Sequence, residues 1–343
     1  MQAWEKKSTR GTGKRQGGQG GAVGAPDAEM KVIAVVVTYN RKMLLLECLD
    51  AILSQTAPVS GIVLIDNAST DGTREALEAG GYLDNAVLEY HLMDHNTGGA
   101  GGFCEGMKAA REKDCDWIWV MDDDTVPEST CLEELLAALR LIRAEDVEKP
   151  ISFLTSAVYG ENREYMNVPS ISRKPSPNGY AYWHQYLSSG IVSISSATFV
   201  SLLINREAVR RCGLPDPDFF LWGDDLEYTT RLTSFFGDAF LVGRSVAIHK
   251  RKGAKTLEIE NETDPDRIKL YYLQYRNGAI RYRYYRSNAR GIARCIYWVL
   301  RSPLALGKKN GRYVMSAILK GHLEALFQYK KFKTYIDRQL GRG

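Results

Sequence analysis

Short, wholly apolar runs alternate along this chain with longer stretches in which apolar residues recur every three or four positions. Residues 32–38 (Val-Ile-Ala-Val-Val-Val-Thr) are almost continuously β-branched, as expected of a strand buried on both faces in a parallel sheet. Residues 61–65, 87–92 and 117–121 repeat that character and predict three further strands. Between them, 43–53 and 102–112 read as helices. A third helix, capped by Thr70 or Asp71, runs to about Ala79, and 128–143 is an amphipathic fourth. Strands alternating with helices at this spacing predict βαβ units and an open, mostly parallel α/β sheet.

After Pro150 the pattern loosens. Pro169, Pro175, Pro177, Gly160 and Gly179 fall within 159–190, which reads as loops over a site rather than core. Strand character returns over 193–204 and 239–248, with helices over 205–211 and 226–236, and from about Asp266 the pattern is helical to the end. Residues 1–30 are glycines set among Lys, Arg and Gln, with no apolar stretch of the kind a secretory signal carries, and are expected to be a disordered arm. Three regions follow: the arm (1–30), an α/β body (31–264, dividing near 125) and a helical C-terminal region (265–343).

The chain has 343 residues, 44% hydrophobic and 25% charged, which fits a globular protein and excludes collagen and coiled coil. The best candidate for a membrane span, 292–306, is interrupted by Arg294 and Arg301. Six scattered cysteines with no C-x-x-C pair suggest reduced thiols in the cytoplasm rather than disulfides or a zinc site. The net charge of +4 is unevenly spread: residues 265–343 hold 18 Lys/Arg against 3 Asp/Glu, and the rest of the chain 27 against 38. An acidic body with a basic, tyrosine-rich tail calls for an anionic partner, a membrane surface or nucleic acid.

Ligands of open α/β sheets bind beyond the carboxyl ends of the strands. Here those ends are polar: Thr38-Tyr39-Asn40, Asp66-Asn67-Ala68-Ser69, His95-Asn96-Thr97 and Asp122-Asp123-Asp124. Any one of them could simply terminate a strand; four together make a pocket. Asn96 to Phe103 is a glycine-rich turn into a helix, containing Gly98 and Gly99, whose backbone N–H groups can approach an anion. It is neither a dinucleotide fingerprint nor a P-loop. Three adjacent carboxylates after a buried strand repel unless a cation lies among them. In an extended stretch Asp122 and Asp124 point the same way, which suits Mg²⁺ or Mn²⁺ shared with phosphate oxygens. A second acidic cluster, Trp222-Gly223-Asp224-Asp225-Leu226-Glu227, opens a helix and offers a general base as well as a helix cap. His249, at a strand end, is a candidate third metal ligand.

Val-Val-Thr-Tyr-Asn-Arg, Ile-Asp-Asn-Ala-Ser-Thr-Asp-Gly, Asn-Thr-Gly-Gly-Ala-Gly-Gly-Phe, Asp-Asp-Asp and Trp-Gly-Asp-Asp-Leu-Glu-Tyr, in that order over about 31–250, resemble the family 2 glycosyltransferases of the GT-A fold. Within that family they look most like the bacterial galactofuranosyltransferase and rhamnosyltransferase branch. The resemblance implies a GT-A (Rossmann-like) catalytic domain over 31–264, with a nucleotide-sugar half to about 125 and an acceptor half after it. Thr38 and Asn40 would line the nucleotide pocket, with Asn67 and Asp123 beside them. Asp66 would read uracil or thymine, and Asn96, Gly98 and Gly99 would lie near the ribose and diphosphate. Asp122, Asp124 and His249 would hold Mn²⁺ or Mg²⁺. Trp222 would border the sugar, and Asp225 would be the base, with Asp224 as its rival. The implied reaction is inverting transfer from UDP-galactofuranose, or alternatively dTDP-rhamnose, to a lipid-linked or oligosaccharide acceptor in envelope polysaccharide synthesis. The Gln-x-x-Arg-Trp signature of polymer-extruding synthases is absent.

In the tail, Arg281, Arg283, Arg286, Arg290, Arg294 and Arg301 are interleaved with tyrosines, Ile292, Ile296 and Leu300. This suits a basic helix on an anionic membrane, hence a peripheral place at the inner face of the cell membrane. It equally suits a solvated face on helices packed against the body. No recognition motif for nucleic acid accompanies the charge. The sequence leaves room for an oligomer. Two other functions remain: a sugar-phosphate nucleotidyltransferase, which would need a basic glycine-rich loop after the first strand, and a non-catalytic carbohydrate- or lipid-binding protein.

Overall fold

The first apolar run forms strand β1 (Val32–Thr38), buried at every position. The computed structural model describes residues 30–251 and 258–342, so the arm expected over 1–30 lies, but for Met30, outside the described residues. After β1 come α1 (Lys42–Leu53), β2 (Gly61–Asp66), α2 (Thr73–Ala79), β3 (Leu88–Leu92), α3 (Gly98–Arg111), β4 (Trp117–Asp122), β5 (Thr125–Pro127) and α4 (Cys131–Glu145). The second part has β6 (Ile151–Tyr159), β7 (Tyr165–Met166), β8 (Ser170–Ile171), β9 (Ile191–Ser196), β10 (Leu202–Asn205), α5 (Arg206–Cys212), α6 (Asp224–Phe235) and β11 (Asp238–His249). Helices α7 (Pro265–Leu270), α8 (Tyr272–Tyr285), α9 (Asn288–Arg301) and α10 (Gly311–Gln339) complete the chain.

One sheet runs in the order β3-β2-β1-β4-β10-β6-β11-β9-β8. Its first four strands are parallel, as the unbroken apolar runs require. Beyond them the sheet is mixed: β10 is antiparallel to both β4 and β6, while β11 is parallel to β6 and antiparallel to β9. The single strand expected over 193–204 is therefore two. Ser201, with φ +50°, turns the chain so that β9 joins β11 and β10 fills the gap between β4 and β6. A continuous apolar run does not announce such a reversal, because both halves are buried.

Two helix starts also differ from expectation. Helix α2 is not capped by Thr70 or Asp71; Gly72 precedes it, and Asp71 instead accepts from the Lys42 N–H and the Thr73 hydroxyl. Helix α3 begins at Gly98, so most of the glycine-rich segment is helix rather than loop. Packing explains why. A Cβ on Gly102 would stand 2.5 Å from Val37 Cγ1, and one on Gly106 2.4 Å from Val35 Cγ1. Glycine at every fourth position lets α3 lie flush on β1.

The C-terminal helices pack onto this body. Helix α10 lies along α8, and Arg283 of α8 spends its charge on the Ala325 and Leu326 carbonyls. All six cysteines are free and buried. No described helix is long and apolar enough to cross a membrane.

Replacing Gly106 with alanine sets two effects against each other. Helix propensity favours alanine by about 1 kcal/mol, whereas overpacking a rigid, branched neighbour costs about 1–3 kcal/mol. With a contact this short the second prevails, so Gly106→Ala should lower the urea midpoint; a raised midpoint would refute the packing account.

Candidate active site

Register brings the polar strand ends together. Thr38 pairs with Asp66 across β1 and β2, and Val37 pairs with Asp122 across β1 and β4. The three aspartates then take separate directions. Asp123 turns inward: its carboxylate accepts from the Thr38 hydroxyl (2.8 Å) and the Tyr39 N–H (3.4 Å). Burial pushes it up to about 6 against the pull of Arg41. Asp122 stays at the mouth, where burial and its two neighbours push its carboxyl well up. Asp124 faces β11, because β5 pairs antiparallel with β11 and sets Thr125 opposite His249.

Asp122, Asp124 and His249 offer ligand atoms within 4.8 Å of one another. Asp124 Oδ1 is buried without a hydrogen-bond donor, and His249 Nε2 stands 3.0 Å from it. The other ring nitrogen, Nδ1, donates to Asn167 Oδ1 at 2.8 Å, while the Asn167 amide donates to Thr198 Oγ1 at 3.0 Å. In the neutral ring this leaves the Nε2 lone pair aimed at a carboxylate lone pair, a contact that needs a proton or a cation between them. Two hard oxygen donors and an imidazole oriented by a carboxamide fit a divalent cation. Arg41 supplies the charge balance within the chain, with Nη1 2.7 Å from Asp124 Oδ2 and 3.1 Å from Asp123 Oδ1.

On the nucleotide side, Asp66 is buried and accepts from the Ser69 N–H and the Tyr90 hydroxyl, both at 2.8 Å. Asn40, with φ +55°, holds the Thr70 N–H at 2.7 Å. Asn67 braces the next turn, accepting from the Thr97 N–H and donating to the Asn96 side chain and the Gly98 carbonyl. Asn96 in turn accepts from the Gly98 N–H at 2.8 Å. Gly98 has φ +71°, and a Cβ there would meet the Phe220 carbonyl at 2.0 Å, so only glycine fits. Around Gly99 the space is open. Of the expected pocket residues, Thr38, Asn67 and Asp123 are thus engaged mainly in holding the strand ends.

The Phe220 contact joins this side to the second acidic cluster, since the Ala100 N–H also donates to the Phe220 carbonyl (3.2 Å). Phe220 (φ +61°), Trp222 (φ +62°) and Gly223 (φ +87°) are all left-handed, a conformation that costs non-glycine residues about 1–3 kcal/mol each. The tail holds it in place. Asn277 Nδ2 lies within hydrogen-bond distance of the Phe219, Leu221 and Trp222 carbonyls, and Arg276 donates to those of Asp218 and Phe219. Trp222 packs against Tyr271, ring centroids 4.7 Å apart.

Asp224 and Asp225 then start α6. Burial raises both carboxyls, Asp224 to about 8 and Asp225 to about 6. Asp224 lies near enough to Asp122 for their charges to repel, whereas Asp225 feels the attraction of Arg281. Glu227 points elsewhere, forming a buried two-bond ion pair with Arg231 (2.5 and 3.1 Å) and accepting from the Tyr285 hydroxyl.

Residues 33–185 match the family model for glycosyl transferase family 2. They are a family 2 glycosyltransferase domain. The galactofuranosyltransferase GlfT1 of Mycolicibacterium smegmatis is 30% identical over 212 residues, which is 59% of this chain and 65% of that protein. GlfT1 of Mycobacterium tuberculosis is 29% identical over 206 residues, 59% of this chain and 64% of its own length. The chain thus spans a little under two thirds of these relatives. The crystal structure of GalNAc-T7 with UDP, GalNAc and Mn²⁺ superposes with a TM-score of 0.57 at 16% identity, covering 90% of this chain and 57% of that one. This places the glycosyltransferase domain in the GT-A fold.

Sequence reasoning overlooked Tyr90, Asn167, Arg276 and Asn277. Asn167 sits in a segment read only as loop, and nothing in its neighbours marks it. Arg41 stood inside a quoted motif without a role.

Breaking the Glu227–Arg231 pair strands a buried charge, so Glu227→Ala should cost about 3–5 kcal/mol in urea unfolding. A loss below about 1 kcal/mol would place the pair among the weak surface kind.

Proposed function

We propose that this protein is a metal-dependent, inverting glycosyltransferase that moves galactofuranose from its UDP donor to a lipid-linked acceptor in cell-envelope polysaccharide synthesis, at the inner face of the cell membrane. The observation that carries the reading is the convergence of Asp122, Asp124 and His249 at the carboxyl edge of the sheet, with Asp224 within electrostatic reach of Asp122. The GlfT1 relatives favour galactofuranose, and the UDP and Mn²⁺ of GalNAc-T7 favour those two ligands here.

In this reading Asp122, Asp124 and His249 would hold Mn²⁺ or Mg²⁺ on the diphosphate side of the pocket. The bound ion supplies Lewis-acid stabilisation of the charge that develops on the departing phosphate. Thr38, Asn40 and Asp66 bound the nucleoside, and Asn96 with the Gly98–Gly99 turn borders the diphosphate. Trp222 shields the sugar. Asp225 takes the acceptor hydroxyl's proton at a carboxylate oxygen as the hydroxyl oxygen attacks the face of the anomeric carbon opposite the leaving nucleoside diphosphate, which inverts the centre.

Nucleotide release from a panel of sugar nucleotides, with Mn²⁺ or Mg²⁺ and with chelator, tests the reading. Release from one donor, abolished by chelation, is expected; neither binding nor release of any donor refutes it. Asp225→Asn should lower transfer by about 10²- to 10⁴-fold while donor binding persists, and wild-type turnover in that variant would remove Asp225 as the base. The pH profile follows from the raised carboxyl. A base works only when ionised, so kcat/KM should fall as pH drops through about 6, rather than near the usual carboxylate value about two units lower. An acid limb at that ordinary value would exclude a buried base.

A further inference from the structure

Between the C-terminal helices and the second half of the sheet lies a cleft of about 1830 Å³. Small-ligand sites usually occupy about 300–1,000 Å³. The cleft is not the metal site, since Asp122, Asp124 and His249 do not line it. One wall is α6 and β9, and the other is α8 and α9.

Five arginines line it: Arg173 from the sheet side, and Arg281, Arg286, Arg294 and Arg301 from the C-terminal helices. Among the described residues none of the five has a carboxylate within ion-pair distance, in contrast to Lys174 and Lys308 of the same cleft, which pair with Asp238 and Glu260. Aromatic rings position two of them instead. The Arg294 guanidinium lies 5.3 Å from the Tyr282 ring centre; that of Arg301 lies 5.3 Å from the Tyr297 ring, and it donates to the Tyr297 hydroxyl at 2.7 Å. Guanidinium forks held in place without a carboxylate are suited to phosphate oxygens. Arg281 joins the cleft to the reaction centre, because its charge acts on Asp225.

The helix that carries Arg294 and Arg301 also exposes apolar residues, of which Ile296 and Leu300 lie outside the cleft lining. Ile296, Leu300 and Leu304 follow one another at four-residue intervals and are 48%, 74% and 67% exposed. Leu304 also lines the cleft. Exposed leucines beside phosphate-binding arginines fit an amphiphile at a bilayer surface and are poor partners for nucleic acid.

We infer that this cleft binds the phosphorylated head of a polyprenyl-linked acceptor, with the arginines on the phosphate oxygens and the stripe of Ile296, Leu300 and Leu304 against the hydrocarbon. The inference rests on the reading of the acceptor as lipid-linked and assigns it a site. The acceptor sugar would then extend from the arginines past Arg281 to Asp225.

Co-sedimentation of the full chain with vesicles tests it. Phosphatidylcholine vesicles carrying a polyprenyl diphosphate should retain the protein about tenfold more strongly than vesicles given equal charge by phosphatidylglycerol. The Arg294→Gln/Arg301→Gln variant should lose about that preference with its near-UV circular dichroism unchanged. Soluble geranyl diphosphate should compete, and inorganic diphosphate far less. Equal retention on both anionic vesicles, an unchanged preference in the folded variant, or equal competition by inorganic diphosphate would overturn the site. If the double variant misfolds, Leu300→Asp decides: it should weaken both vesicle retention and geranyl diphosphate binding with the near-UV circular dichroism unchanged, and wild-type retention would overturn the proposal. Acceptor-independent donor hydrolysis on the same preparations separates the two readings. Metal-dependent hydrolysis without the lipid preference overturns the cleft alone; lipid preference without any use of donor overturns the transferase and leaves the cleft standing.

Discussion

Three carboxylates in a row at the end of one strand, two of them buried, repel one another, and much of the surrounding structure compensates them. Asp123 is turned into the sheet and tied to Thr38. Arg41 spans Asp123 and Asp124 from the loop after β1. The β5–β11 pairing delivers His249 to Asp124, and Asn167 fixes the ring. Even so, Asp124 Oδ1 lacks a donor and Asp122 is driven well above the usual carboxylate range. One guanidinium and one imidazole do not balance this much negative charge in a site shielded from water. The residual imbalance is the physical reason that the edge suits a divalent ion.

The C-terminal helices belong to the same problem. The loop before Asp224 passes through two left-handed non-glycine residues, and the groups that hold its carbonyls, Arg276 and Asn277, come from α8. The acidic pair at the start of α6 is thus set from behind by the tail. The tail's charge divides accordingly. Arg276 and Arg283 are buried and used on main-chain carbonyls, whereas Arg281, Arg286, Arg294 and Arg301 face the cleft. A net charge read along the sequence merges these two populations, because burial is not a property of composition.

The parallel half of the sheet was legible because strands buried on both faces leave unbroken β-branched runs, and the aspartates were legible because nothing apolar explains three together. Two features were not. The glycines of α3 carried two meanings at once: Gly98 permits the turn under Phe220, but Gly102 and Gly106 serve contact with β1, and a string of glycines does not say which. The 193–204 run concealed a reversal because both of its strands are core. Asn167 was invisible for a third reason, since its role depends on a ring brought from 82 positions away.

Asp224 and Asp225 sit at a helix N-terminus, where the dipole favours ionised carboxylates. Burial outweighs it, and the two rise by different amounts because their neighbours differ. Asp224 feels the negative Asp225 and Glu227, and Asp225 the cationic Arg281. Environments that push paired carboxyls apart assign separate protonation states to them at one pH. Asp225, raised less than Asp224, gives up its proton at the lower pH of the two. A divalent charge beside Asp122 would offset part of the repulsion between Asp122 and Asp224. The acidic clusters, separate in sequence, are in that sense one electrostatic unit, with Arg281 linking it to the cleft.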